Sequence, residues 1–101
     1  MKEISPINFF KIYQRKKIKV IDVRDVKDYD LYHIKGSLNI PLSLLCDKPY
    51  LFLNKKYVYY IICKNGSLSK LATVSLENSG YNVINVMGGL DSWVGSYQVT
   101  Y

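Results

Sequence analysis

Apolar residues along this chain fall into short runs separated by charged and turn-forming segments. The clearest run covers residues 57–62, which are almost wholly apolar and rich in β-branched and aromatic side chains. An unbroken run of this kind is typical of a parallel strand that is covered on both faces. Residues 19–23, 38–40 and 81–86 form shorter runs of similar character, so the pattern predicts four strands.

Helical segments are predicted before, between and after these strands. Ser5 and Pro6 form a typical helix start, with serine at the N-cap and proline at the first helical position. A second helix is predicted from Ser67 to just before Gly80, with one apolar face formed by Leu68, Leu71, Ala72, Ser75 and Leu76. Shorter helical stretches are expected within residues 24–32, at 42–45 and at 90–93. Strands that alternate with helices predict an α/β fold with a mainly parallel sheet.

Composition limits the class of protein. The chain has 101 residues, enough for one domain over residues 1–101 and too few for two. It contains no apolar run of the roughly 20 residues that a membrane helix needs, and its first residues lack the apolar region of a signal peptide. We therefore expect a soluble cytoplasmic protein with no membrane partner. The formal net charge is +6, but the lysines are scattered, which does not favour a nucleic acid partner.

The two cysteines, Cys46 and Cys63, have the most distinctive chemistry in the chain. They are too few for a disulfide scaffold, they form no C-x-x-C pair, and with a single histidine they do not favour a metal site. Cys63 directly follows the clearest strand, and in open α/β sheets functional sites form beyond the carboxyl ends of strands. The sequence therefore indicates Cys63 as a candidate nucleophile.

The loop after Cys63 has the composition of an anion-binding turn. It comprises Lys64, Asn65, Gly66, Ser67 and Leu68 and leads into the predicted helix. Its backbone N–H groups and the helix dipole would stabilise a thiolate or a persulfide, and Lys64 and Lys70 could add positive charge. An unreactive buried cysteine at a strand end is equally compatible with this position, so position alone leaves both interpretations open.

Three segments resemble the motifs of the rhodanese-homology domain. They are Asp22-Val23-Arg24 with Asp28-Tyr29 and His33-Ile34-Lys35-Gly36-Ser37-Leu38-Asn39-Ile40-Pro41, then Cys63-Lys64-Asn65-Gly66-Ser67-Leu68-Ser69, and finally Gly88-Gly89-Leu90-Asp91-Ser92-Trp93. Each segment alone is a weak signal, but their order and spacing together cover most of the chain. The chain is therefore similar to that family.

This resemblance implies a rhodanese-like α/β fold with a five-stranded, mainly parallel sheet flanked by helices on both faces. It implies a sulfurtransferase in which Cys63 is the catalytic nucleophile and the substrate is bound by Lys64, Asn65, Gly66, Ser67 and Leu68. The cysteine would take a sulfane sulfur from thiosulfate or another persulfide. It would pass that sulfur to a thiol or to cyanide, and a protein persulfide could be a partner. The resemblance implies no metal and no organic cofactor.

Two residues depart from the family pattern. Leu68 stands where the loop commonly ends in an arginine, and Tyr32 stands where glycine usually precedes the histidine. Without a guanidinium at position 68 we expect weak activity toward thiosulfate, whereas the backbone contacts to a persulfide are kept. Two other functions stay open. One is a non-catalytic binding or redox-sensing module; the other, disfavoured by a short loop without arginine, is a phosphatase or arsenate reductase.

The other landmarks are expected to be structural. His33 is expected to be a hydrogen-bonded scaffold residue, Asp22 and Arg24 to brace the loops, and Trp93 to pack in the core. Cys46 is expected to be an ordinary thiol in an apolar setting, with a resolving role toward Cys63 as the alternative.

Overall fold

The strands form one parallel sheet. The computed structural model describes residues 1–99, so residues 100 and 101 of the predicted domain lie outside the described part. The strands are β1 (Glu3–Ile4), β2 (Lys19–Asp22), β3 (Leu38–Asn39), β4 (Val58–Ile62) and β5 (Asn82–Val86). Their order across the sheet is β1-β5-β4-β2-β3, and each neighbouring pair is parallel. The predicted α/β fold with a five-stranded parallel sheet is confirmed.

Within residues 1–99 there are also four helices and two 3₁₀ turns, and the last turn follows β5. The helices are α1 (Pro6–Arg15), α2 (Val26–Leu31), α3 (Leu42–Asp47) and α4 (Ser67–Asn78), and the 3₁₀ turns are Pro49–Leu51 and Gly89–Ser92. As predicted, α1 begins after Ser5, whose Oγ accepts a hydrogen bond from the Asn8 N–H at 3.3 Å. No helix in residues 1–99 is both long enough and apolar enough to cross a lipid bilayer.

Both faces of the sheet are covered. Successive side chains of a strand point to opposite faces, so one strand contributes to the core on each side. Along β4, Tyr59 and Ile61 belong to one core cluster, and Tyr60 and Ile62 belong to another. Helices α3 and α4 complete the first cluster with Leu45, Ala72 and Leu76. Helix α1 and the C-terminal 3₁₀ turn complete the second cluster with Phe9 and Leu90. The continuous apolar run of β4 thus reflects burial on both faces.

The buried face of α4 differs in part from the predicted one. The prediction is wrong for Leu68, Leu71 and Ser75, which are exposed, and right for the other two positions. Ser69 and Thr73 are buried instead. Thr73 Oγ1 donates a hydrogen bond to the Ser69 carbonyl at 2.7 Å. Because the buried hydroxyls are hydrogen-bonded, burying them leaves no polar group unsatisfied. A face that contains bonded hydroxyls cannot be found from hydrophobicity alone.

The edge strand β1 is the one that the residue pattern does not predict. It has only two residues, which is too short to show a period. In the sheet, Glu3 lies opposite Asn85 and Ile4 lies opposite Val86. The other strands differ from their predicted bounds by no more than one residue at either end. The missed strand brings Glu3 close to the carboxyl end of β5, where the candidate site lies.

Candidate active site

Cys63 lies at the carboxyl end of β4, where the chain turns toward α4. Its side chain is only 1% exposed. Gly66 makes the turn possible because its φ of 96° lies in the left-handed region that disfavours residues with a Cβ atom. A Cβ atom on Gly66 would also lie 3.0 Å from the backbone nitrogen of Gly88. The cysteine loop is therefore in close contact with the C-terminal turn.

The 3₁₀ turn Gly89–Ser92 holds the cysteine loop through backbone hydrogen bonds. The Leu90 N–H donates to the Cys63 carbonyl at 2.9 Å, and the next N–H along the chain donates to the Lys64 carbonyl at 2.8 Å. A Cβ atom on Gly89 would lie 2.3 Å from the Cys63 carbonyl oxygen. Gly89 has a positive φ of 54°, a conformation that favours glycine. A segment distant in sequence thus fixes the backbone around Cys63.

Two backbone N–H groups point at the Cys63 sulfur. Gly66 N lies 3.1 Å from Sγ, and Ser69 N lies 3.3 Å from it. Both donors lie at the start of α4, where N–H groups lack helical partners and the dipole favours negative charge. Such donors stabilise a thiolate or a persulfide anion more than a neutral thiol. Of the five predicted loop residues, Gly66 is the one that supplies an N–H to the sulfur.

A buried polar chain connects the sulfur to the edge strand. Ser69 Oγ lies 3.3 Å from the Cys63 Sγ and donates to Asn85 Oδ1 at 2.6 Å. Asn85 Nδ2 donates to Glu3 Oε2 at 3.2 Å. Because a carboxylate only accepts hydrogen bonds, this contact sets the orientation of the Asn85 amide and directs the Ser69 proton away from the sulfur. The Ser69 oxygen can then accept a hydrogen bond from the Cys63 thiol.

Sequence reasoning missed both Ser69 and Asn85 as site residues. A signal for Ser69 does exist, because it lies in the first turn of α4, where backbone N–H groups need partners. No such signal marks Asn85, whose contact with Ser69 depends on how α4 packs on β5.

A cavity of about 680 Å³ opens in front of Cys63. Four of the five predicted binding residues line it: Lys64, Asn65, Ser67 and Leu68. The fifth, Gly66, is buried and contacts the sulfur through its N–H. Lys70 does not line the cavity. The other lining residues come from α2, the start of α3 and the segments before them, and include Val23, Asp25, Asp28, Leu31, Pro41 and Leu42.

Known proteins share both the sequence pattern and the architecture of this chain. Residues 9–96 match the family model of the rhodanese-like domain. The chain belongs to the rhodanese-like family. Its structure is similar to that of a rhodanese-like domain protein from Staphylococcus aureus, with a TM-score of 0.87, 28% identity and full coverage of both chains. A protein from Staphylococcus saprophyticus has a TM-score of 0.83 and 33% identity, over 92% of this chain and 93% of that chain.

Curated relatives contain a rhodanese-like domain of this kind as part of a longer chain. The adenylyltransferase and sulfurtransferase uba4 of Ogataea parapolymorpha is 39% identical, over 73% of this chain and 19% of the relative. The putative sulfur carrier protein YrkF of Bacillus subtilis is 34% identical, over 84% of this chain and 46% of the relative. The chain thus spans less than half the length of these relatives. It is homologous to part of a sulfurtransferase and part of a sulfur carrier protein.

The cations beside the cavity of this rhodanese-like domain are paired with carboxylates. Arg24 is buried and makes a bidentate contact with buried Asp22, with Nη2–Oδ2 at 2.9 Å and Nε–Oδ1 at 3.1 Å. Lys64 Nζ lies 2.9 Å from Asp91 Oδ1, and the hydrogen bond and charge of Asp91 raise the pKa of Lys64. Leu68, in place of the family arginine, is 45% exposed. Within residues 1–99, every basic side chain that lines the cavity therefore already has an anionic partner.

The remaining landmarks of the rhodanese-like domain are structural. His33 Nδ1 lies 2.8 Å from the Tyr29 carbonyl oxygen, and the two rings stack with centroids 3.8 Å apart. Arg24 Nη2 donates to a carbonyl oxygen at the end of α2 at 2.7 Å, and Trp93 packs in the second core cluster. These roles are confirmed. Cys46 packs against the first core cluster and does not line the cavity, so a resolving role for it stays a prediction.

Proposed function

We propose that this domain is a sulfurtransferase that carries sulfane sulfur as a persulfide on Cys63. The supporting observation is a cysteine sulfur at the wall of a large cavity, with N–H donors at 3.1 Å and 3.3 Å. Lys64, Asn65, Ser67 and Leu68 would contact the substrate, and the Gly66 N–H would hold the reacting sulfur. Both cysteines are unbridged, which fits a reducing compartment such as the cytoplasm.

The first step loads sulfur onto the enzyme. The Cys63 thiolate attacks the outer sulfur of an organic persulfide, R–S–SH. The S–S bond of the donor breaks, RS⁻ leaves and takes up a proton, and Cys63 becomes a persulfide. With thiosulfate as donor, the same attack releases sulfite. The backbone N–H groups at Sγ stabilise the attacking anion.

The second step passes the sulfur on. An acceptor thiolate, cyanide or a protein thiol attacks the outer sulfur of the Cys63 persulfide. The S–S bond, about 2.05 Å long, breaks and Cys63 leaves as a thiolate. The transferred sulfur keeps its oxidation level, so neither step needs an external oxidant or reductant.

A non-catalytic binding or redox-sensing module is the second candidate. It is favoured by the 1% exposure of Cys63 and by the exposed leucine at position 68, in place of an anion-binding arginine. A phosphatase or arsenate reductase is not proposed, because residues 64–68 contain no arginine to pair with a phosphoryl or arsenate group.

Intact-mass spectrometry after incubation with polysulfide tests the proposal. The wild-type chain should gain one sulfur atom that cyanide removes. The Cys46→Ser variant is the matched control and should gain the same atom, whereas Cys63→Ser should gain none. A wild-type chain without a cyanide-labile sulfur would refute the sulfurtransferase and favour the binding module. An unchanged adduct in Cys63→Ser would place the reactive thiol elsewhere.

A further inference from the structure

Two acidic side chains from outside the cysteine loop line the cavity in front of Cys63. Asp25 is the N-cap residue of α2 and Asp28 lies in the first turn of that helix. Both are exposed and both line the cavity. Among residues 1–99, no basic group forms a salt bridge with either carboxylate, and the Asp25 side chain makes no capping hydrogen bond. These charges are therefore available to a molecule that enters the cavity.

The charge around the cavity is opposite in sign to that of the chain. Arg24 and Lys64 are neutralised by Asp22 and Asp91, so the carboxylates of Asp25 and Asp28 leave a local formal charge of −2. The whole chain has a formal charge of +6. A small anion such as thiosulfate is repelled by such a site, and a cation is attracted to it.

Apolar side chains line much of the remaining cavity wall. They are contributed by both sides of the cavity: Val23, Leu31, Pro41, Leu42 and Leu68. Leu68 lies on the same side as the cysteine loop, and Leu31 lies on α2 together with Asp28. A short hydrocarbon skeleton in this cavity therefore has apolar side chains to contact, and a positive group on it has two carboxylates available as partners.

Taking the proposed sulfurtransferase function as given, we propose that this cavity selects aminothiols and their persulfides over anionic sulfur compounds. The ammonium group of such a molecule lies against Asp25 and Asp28, and its carbon atoms lie against Leu68 and Leu31. Its thiolate then attacks the outer sulfur of the Cys63 persulfide, the S–S bond breaks, and Cys63 leaves as a thiolate. The new persulfide departs on the aminothiol.

A purely structural role of these carboxylates makes a different prediction. Acidic residues in the first turn stabilise a helix through its dipole, which would account for Asp28 without any ligand. Such a role affects stability but does not change the relative rates of differently charged thiols. Asparagine is as good an N-cap residue as aspartate, so Asp25→Asn is expected to fold. Asp28→Asn is expected to fold because Asp28 is exposed and the helix dipole contributes only a small part of the stability at such a position.

Acceptor thiols of similar size and different charge test the proposal. Cys63 is loaded with polysulfide, the excess is removed, and loss of the sulfur to cysteamine, 2-mercaptoethanol or 3-mercaptopropionate is followed by intact mass. The rates are compared between the double variant Asp25→Asn/Asp28→Asn and the control Asp30→Asn/Asp47→Asn. The control removes the same charge from exposed positions that do not line the cavity. Each thiol is compared with itself, so differences in intrinsic nucleophilicity cancel.

Relative to the control, the cavity variant should react about threefold to tenfold more slowly with the cationic thiol and correspondingly faster with the anionic one. The neutral thiol should react equally with both variants. At 0.5 M NaCl the differences should shrink, because exposed charges are screened over a few Å. If the ratio of cysteamine to 3-mercaptopropionate rates is the same in both variants, the selectivity is refuted although sulfur transfer stands. If polysulfide loads no sulfur onto Cys63 at all, the proposed function itself is refuted.

Discussion

Replacement of Leu68 by arginine tests whether a missing cation limits this site toward thiosulfate. Leu68 is 45% exposed, so the substitution removes only part of a buried apolar contact. Full burial of a leucine side chain is worth about 1.5–3 kcal/mol. Roughly half of that, about 1 kcal/mol, is the expected loss in the free energy of unfolding. The Leu68→Arg variant should therefore fold.

The gain comes from a guanidinium near the bound donor. A hydrogen bond to a charged group contributes about 1.5–3 kcal/mol. The exposed position of residue 68 puts the value at the lower end of that range, which corresponds to about a tenfold increase in kcat/KM. Asp25 and Asp28 line the same cavity and can pair with the new cation, so tenfold is an upper limit for the single variant.

The assay is thiosulfate:cyanide sulfur transfer, with urea unfolding as the measure of stability. Leu71→Arg is the matched control, because it adds the same charge to α4 at a position that is 63% exposed and does not line the cavity. We expect Leu68→Arg to gain activity and Leu71→Arg to stay near the wild-type rate. Equal rates in the two folded variants would show that the absence of arginine at position 68 does not limit thiosulfate turnover.

Two further substitutions test how the sulfur is held. Ser69→Ala leaves Asn85 Oδ1 without its donor and should lower the free energy of unfolding by about 1–3 kcal/mol. Polysulfide should still load Cys63, because both backbone N–H donors remain. A folded variant that takes up no sulfur would show that the hydroxyl is the essential contact. Gly89→Ala puts a Cβ atom 2.3 Å from the Cys63 carbonyl oxygen. This variant should be less stable than Gly36→Ala, where positive φ is the only cost because the added Cβ atom would meet nothing within 4 Å. Equal urea midpoints for the two alanine variants would contradict the close contact at Gly89.

The features that local sequence could predict are those set by a few neighbouring residues. The continuous apolar run of β4 predicts its burial on both faces, and the glycine two residues before Leu68 predicts a left-handed turn after Cys63. The position of Cys63 at a strand end followed by a helix start is also local. The motifs of the family supplied the remaining architecture, including the fifth strand.

The features that sequence missed depend on contacts between distant segments. Leu68 and Leu71 are exposed because bonded hydroxyls, rather than leucines, occupy the buried side of α4 near the sulfur. Lys64 lies in the cysteine loop, but its pairing with Asp91 is set only when the C-terminal turn packs against that loop. The spacing of apolar residues carries no information on either arrangement.

The pairing of β1 with β5 has a consequence for the order in which the protein acquires its reactivity during synthesis. Glu3 and Asn85 are joined by register and by hydrogen bonding, although 82 residues separate them. Strand pairs of such large sequence separation form late, because chain closure must precede their contacts. The C-terminal turn that holds the Cys63 carbonyl emerges from the ribosome later still. A nascent chain that has just exposed Cys63 therefore lacks the ordered surroundings of the sulfur. The thiol acquires them in full only when the last strand has joined the sheet and the C-terminal turn has packed against the cysteine loop.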